Sequence, residues 1–260
     1  MNNMPAPIPI IFASLTHTGH HADDTPLGIA MVASYAKKTF GDRIDVMLVK
    51  DPIVLCQELD REIPPIVCFS SYIWNFRLSY EITRRIKKKA SKTVIVYGGP
   101  NFPLLTQDQE RYLEEFPMID FFVFREGEYA FSHLLDLLMN RNLDGEGVKK
   151  DGPDIPNTYY LNDNTLVAGT QNPPIKELDE IPSPYLTGLF DELLRDIKIT
   201  PLMQFVRGCP FKCTFCQEGE DYFNKVRRFS TDRVVKEMRY IAERTDSPLM
   251  QLADSNFGMY

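Results

Sequence analysis

The sequence predicts an α/β fold: a doubly wound parallel-sheet (Rossmann-like) domain over residues 1–140, then a second α/β unit that begins near residue 199. Three observations predict it. Apolar, β-prone runs alternate with stretches of helical periodicity five times before residue 140. Several of those runs are apolar throughout, as strands covered on both faces are. Turn residues cluster where the runs end, and in such sheets ligands bind at the carboxyl ends of the strands.

In chain order, residues 8–15 read as a buried strand and 16–24 as a polar loop with three histidines, His17, His20 and His21. Residues 26–40 repeat apolar side chains at helical spacing (Leu27, Ala30, Met31, Tyr35), with Pro26 suited to a first turn and Gly41 as a stop. Strands are expected at 43–49, 65–71, 93–97 and 120–124, and helices at 52–61, 75–89, 106–116 and 126–139. The basic run 84–89 reads as the solvated end of a helix, where cations suit the helix dipole. Residues 141–198 are expected to be a linker holding a small hairpin around 162–164 and a short helix at 186–196. Beyond it, an apolar run at 202–206 reads as a strand, 231–244 as an amphipathic helix capped by Ser230 or Thr231, and 249–253 as a further strand.

The informative residues should therefore follow strands. They are residues 16–24 after the first, Ser70, Ser71, Tyr72, Ile73, Trp74 and Asn75 after the third, Gly98, Gly99, Pro100 and Asn101 after the fourth, and 125–128 after the fifth. Paired glycines let backbone approach a ligand closely, and the single tryptophan stands in one of these loops rather than on a helix face.

Cysteine usage points to a second site. Cys209, Cys213 and Cys216 fall within eight residues, spaced C-x3-C-x2-C, directly after the 202–206 strand. A structural zinc site wants four ligands, and no local fourth is present. A disulfide leaves one thiol over. An iron–sulfur cube fits better, because thiolates are its standard ligands and three of them leave one iron open.

With a net charge of −7, no nucleic-acid footprint is expected. The start MNNMPAPIPI lacks the basic and apolar regions of a signal peptide, and no apolar run has the length of a membrane span. The expectation is a cytoplasmic protein with no membrane partner.

The cysteine spacing, with Phe215 just before the last cysteine, resembles the signature of radical S-adenosylmethionine (SAM) enzymes. The resemblance implies a [4Fe–4S] cluster on Cys209, Cys213 and Cys216, SAM chelated by the open iron, and Phe215 near its adenine. One electron then cleaves SAM to methionine and a 5′-deoxyadenosyl radical. The ordered segments strand–SxYxWN–helix, strand–GGP–helix and strand–Arg125-Glu126-Gly127-Glu128 are similar to the cobalamin-binding domain in front of many such enzymes. That likeness implies corrin or nucleotide-tail contacts at Ser70, Ser71, Tyr72, Trp74, Gly98, Gly99 and Pro100. Histidine ligation of cobalt through D-x-H-x-x-G is not implied, because that motif is missing. Residues 181–185 resemble the bridge that precedes the radical SAM domain. Residues 199–260 resemble the N-terminal part of a partial (β/α)6 radical SAM barrel, truncated here. In that barrel Asp254 and Asn256, after the second strand, are candidates for contacts to SAM or substrate, or for capping the next helix.

The resemblance implies a cobalamin-dependent methyltransferase acting on an unactivated carbon of a small-molecule or peptide substrate, with an electron donor such as flavodoxin or ferredoxin. Two alternatives stand beside it: a radical SAM enzyme that cyclises or rearranges without methylating, and a non-catalytic, truncated cobalamin-binding module.

Overall fold

All five residues of β3 (Ile66–Ser70) are buried, and they sit between β1 (Ile8–Ala13) and β4 (Val94–Gly98) in a seven-stranded sheet. A computed structural model describes residues 6–16 and 23–259. The sheet order is β2-β1-β3-β4-β5-β6-β7, with β2 at Ile44–Val49, β5 at Phe121–Val123, β6 at Thr158–Asn162 and β7 at Thr165–Ala168. Strands β1 to β5 pair in parallel, and β6 and β7 add antiparallel strands at one end.

Alternation of side chains across each strand sends one set to each face. Ile11, Val67, Phe69, Ile95, Tyr97 and Phe122 form one core with α2 (Pro52–Arg61), α3 (Phe76–Lys89) and α4 (Thr106–Glu115). On the opposite face Phe12 meets Phe131 of α5 (Glu128–Asn140) edge-on at 5.2 Å, and Tyr35 of α1 (Leu27–Phe40) meets Tyr129 of α5 at 4.9 Å. The sheet is thus covered on both faces, which is what the fully apolar strands required. Helix starts follow local chemistry: at α2 the Asp51 carboxylate accepts from the N–H of Ile53 at 2.6 Å, with Pro52 in the first turn.

Three local expectations are corrected. Residues 145–151 are not linker but a helix, α6 (Gly145–Asp151): Asp144 caps it at Gly147 N, 3.0 Å away, and Val148 is buried. The hairpin does not stand apart, because β6 pairs with β5 (Phe122 opposite Tyr159) and extends the sheet. Its two-residue turn, Asp163-Asn164, has both φ values positive, at 48° and 61°, as a tight hairpin needs. The helix expected at 186–196 shrinks to α7 (Asp191–Leu194), since Gly188 takes φ +76° and breaks it.

The chain divides into two units, the first including Gly28–Asn172 and the second residues 23–27 together with the chain from Pro173 onward. The second unit is held by short strands. β8 (Leu202–Met203) pairs in parallel with β11 (Gln251–Leu252), and α8 (Thr231–Ala242) lies between them in sequence, so this is a βαβ element. Ser230 is the N-cap of α8, accepting from Arg233 N at 3.3 Å. β9 (Val206–Arg207) pairs antiparallel with β10 (Arg227–Arg228). The single strand expected at 202–206 is therefore split between two partners.

Residues 23–27 run beside the start of β8. Asp24 bridges to Thr200, and the Thr25 hydroxyl accepts from Leu202 N at 2.9 Å. The buried Tyr185 hydroxyl shares a 2.8 Å hydrogen bond with Thr25 Oγ1 and donates to Leu202 O at 2.8 Å.

Candidate functional site

The carboxyl edge of the large sheet is built from loops that fasten to one another. After β3, the Ser70 hydroxyl donates to Ser14 Oγ, beyond β1, at 2.8 Å. Asn75 shapes the turn that follows: its Oδ1 accepts from Tyr72 N at 2.8 Å and its Nδ2 lies 3.5 Å from Ser70 Oγ. After β4, Asn101 N donates to Ser71 O at 3.2 Å and Asn101 Nδ2 to Ser71 Oγ at 3.4 Å. Ser70, Ser71 and Asn75 are buried, so these polar side chains define the shape of the edge.

The glycines of this edge hold neighbouring backbone segments together. Gly99 takes φ +121°, and a Cβ there would lie 2.7 Å from Ser71 O. A Cβ on Gly98 would meet Val123 O at 3.3 Å. They let the β3 and β4 loops close on each other and let β4 pass close to β5.

What the edge offers outward is flat and apolar. Trp74 stacks on Tyr72 at 4.5 Å with the rings 14° from parallel, and it remains 57% exposed. Burial pushes the Tyr72 hydroxyl above its usual pKa, which keeps it neutral. Ile73 is exposed beside the stack, and Leu104 and Leu105 are exposed on the loop after β4. The sequence reading did not single out these two leucines or Ser14; two consecutive leucines just before a polar helix start were the available signal. His17, His20 and His21 lie outside the described residues.

In the second unit, the cysteine loop is closed at its base. Gly208 takes φ +98°, and a Cβ there would lie 2.5 Å from Lys225 O and 2.7 Å from Phe223 O. Cys209 N donates to Phe223 O at 2.8 Å, which locks the stem. At the tip, Cys216 N donates to Cys213 O at 3.1 Å, and Gly219 presses so closely that a Cβ would sit 2.4 Å from Cys213 O. Lys212 reaches Asp221 at 2.5 Å, and its ammonium holds that carboxyl below the usual carboxylate range.

All three thiols are free of disulfides, with Cys209 half-buried and Cys213 and Cys216 exposed. Phe215 is 92% exposed. Among the described residues no three His, Cys, Asp or Glu side chains converge as a metal-holding group; the loop carries the thiols on one closed turn rather than in contact. Three soft sulfur donors on such a loop suit iron–sulfur chemistry.

Asp254 and Asn256 lie just after β11. Asp254 Oδ1 accepts from Phe205 N at 2.7 Å and Val206 N at 3.1 Å. The Asn256 side-chain nitrogen is buried with no hydrogen-bond partner among the described residues.

Comparison with known proteins bears on the first unit most directly. Residues 19–135 match the family model of the B12 binding domain. The chain is similar to the cobalamin-dependent radical SAM methyltransferase TokK of Streptomyces tokunonensis, 28% identical over 204 residues, which cover 75% of this chain and 28% of that protein. It is similar to the 2-(S-pantetheinyl)-carbapenam-3-carboxylate methyltransferase of Streptantibioticus cattleyicolor, 30% identical over 201 residues with the same two coverages, 75% and 28%. In fold it resembles the cobalamin-dependent SAM radical enzyme OxsB, solved with aqua-cobalamin and SAM bound, at a TM-score of 0.74 and 19% identity over 96% of this chain and 34% of that one. The chain thus spans about three tenths of the length of these relatives. Among the described residues, no helix is long and apolar enough to cross a membrane.

Proposed function

We propose that the chain is the N-terminal portion of a cobalamin-dependent radical SAM protein, and that it binds cobalamin and a [4Fe–4S] cluster for SAM-dependent methylation of an unactivated carbon. The observation that carries this reading is the pairing of two features in one chain. One is a carboxyl sheet edge with an exposed Trp74–Tyr72 stack, and the other is a pinned loop with three free thiols. When bound, the cluster supplies the electron that cleaves SAM, and cobalamin carries the methyl group.

The chain's own residues have simpler tasks. Cys209, Cys213 and Cys216 would be the thiolate ligands, and the exposed Phe215 would lie near the adenine of SAM. Trp74 and Tyr72 give the macrocycle an apolar wall from which water is excluded. Ser70, Ser71, Gly98, Gly99 and Pro100 form the edge on which cobalamin rests, and Ser70 and Ser71 are already fixed by Ser14 and Asn101. The substrate is a small molecule or a peptide, and a flavodoxin- or ferredoxin-type protein delivers the electron.

The test is anaerobic reconstitution of the chain with iron, sulfide and hydroxocobalamin, followed by desalting and an absorbance spectrum. Broad iron–sulfur absorption together with sharp corrin bands is expected. Cluster absorption without corrin removes the methyl carrier and leaves a non-methylating radical SAM protein. Corrin alone leaves a cobalamin-binding module.

A further inference from the structure

The turn after β11 holds the cysteine loop by both of its stems. Strand pairing between β8 and β11 ends with Ala253 N donating to Met203 O at 2.8 Å. From there the chain leaves β11 and takes β10 as its partner, and at the switch the backbone N–H groups of Phe205 and Val206 turn to a side chain instead. The Asp254 carboxylate supplies what the strand does not, accepting both from 48 and 49 residues away. Two charge-assisted bonds to one oxygen fix the backbone just before Gly208 and Cys209. The next residue acts on the other stem: the Ser255 hydroxyl donates to the carboxylate of Glu218, two residues past Cys216. Phe205 and Phe257 add a ring contact at 5.9 Å across the same turn.

We infer that Asp254 and Ser255 are positioning residues that clamp the entry and exit of the Cys209–Cys216 loop, and that Asp254 does not serve as a ligand contact. The clamp acts through the backbone of Phe205 and Val206 and through Glu218. It sets where the thiols stand before any metal arrives. In its consequence for iron the inference rests on the cluster reading above; in its consequence for the apo chain it does not.

The experiment has two readouts. Hydrogen–deuterium exchange of the metal-free chain follows the amides of 205–206 and 216–219, and release of iron to a chelator follows the reconstituted chain. Asp254→Ala is expected to speed exchange at 205–206 about tenfold, the effect of losing a hydrogen bond to a charged group, and to hasten iron release several-fold. Asp254→Asn keeps a side-chain oxygen acceptor and is expected to stay near the wild-type exchange rate, a rescue that mere loss of packing does not produce.

Ser255→Ala and Glu218→Ala remove the two ends of the second-stem bond and test it even where Asp254→Ala fails to fold. Both are expected to speed exchange at 216–219. Wild-type exchange at 205–206 in Asp254→Ala, or at 216–219 in both surface variants, overturns the clamp. If the wild-type chain takes up no iron and sulfide, the cluster reading fails, while the exchange contrast still decides the clamp.

Discussion

Asn101 donates its backbone N–H to the carbonyl of Ser71 at 3.2 Å, so the loops after β3 and β4 form one continuous edge. Gly99 is the residue that allows it. Gly99→Ala combines a φ of +121° with a Cβ 2.7 Å from Ser71 O. The backbone term alone costs about 1–3 kcal/mol, and the contact adds to it. Urea unfolding of the variant should show a lower midpoint, and hydroxocobalamin retention should fall with it; an unchanged midpoint would mean the two loops are not locked as described.

The amino end of the sheet has its own fastening. Asp120 is 7% exposed on its side chain and accepts from Lys87 Nζ at 2.6 Å, from Ile95 N at 2.7 Å and from Lys149 Nζ at 3.4 Å. One carboxylate thereby joins α3, β4 and α6. Asp120→Ala leaves two largely buried ammonium groups facing each other, at a cost of about 3–5 kcal/mol. Chemical denaturation measures this, and a change near that of an exposed pair such as Arg84–Glu81 would contradict it.

Removing one thiol separates the cysteines by role. Cys213→Ala is expected to lose iron and sulfide binding after reconstitution, whereas Cys68→Ala, in β3, keeps both at wild-type stoichiometry. Metal and sulfide assays on the two purified variants provide the check. An intact cluster in Cys213→Ala removes Cys213 from the ligand set.

Alkaline pH tests the packing around β6. The buried Tyr160 hydroxyl donates to Pro153 O at 2.7 Å, and burial pushes its pKa up to about 12 from 10. A raised pKa means that the folded state favours the protonated form. Its contribution is therefore complete below pH 10 and is lost as pH rises through 12. The stability advantage of wild type over Tyr160→Phe should shrink across that window; a constant difference would show that Tyr160 ionises alike in both states.

The parallel sheet was legible because several of its strands are apolar throughout: in β3, Ile66, Val67, Cys68 and Phe69 leave no face for water. The cysteine loop was legible from spacing alone. What escaped notice depends on contacts distant in sequence. Residues 145–151 look like linker by composition, yet Asp144 caps a helix there and Lys149 reaches Asp120, 29 residues earlier. Asp254 read as a candidate contact or cap at a strand end, and local sequence does not reveal that its oxygen answers two amides 48 and 49 residues away. Lys87 looked solvated within its basic run, but its side chain is only 15% exposed against Asp120.

The partners of residues 23–27 also impose an order in time. Thr25 and Leu202 are separated by 177 positions, so a ribosome making 5–20 residues per second needs on the order of ten seconds or more between them. During that interval the strands from β1 to β7 have all emerged and can assemble, while Thr25 waits solvated. Birth of the second unit is then a late closure, in which the newly made β8 finds an early segment already tethered to a finished sheet.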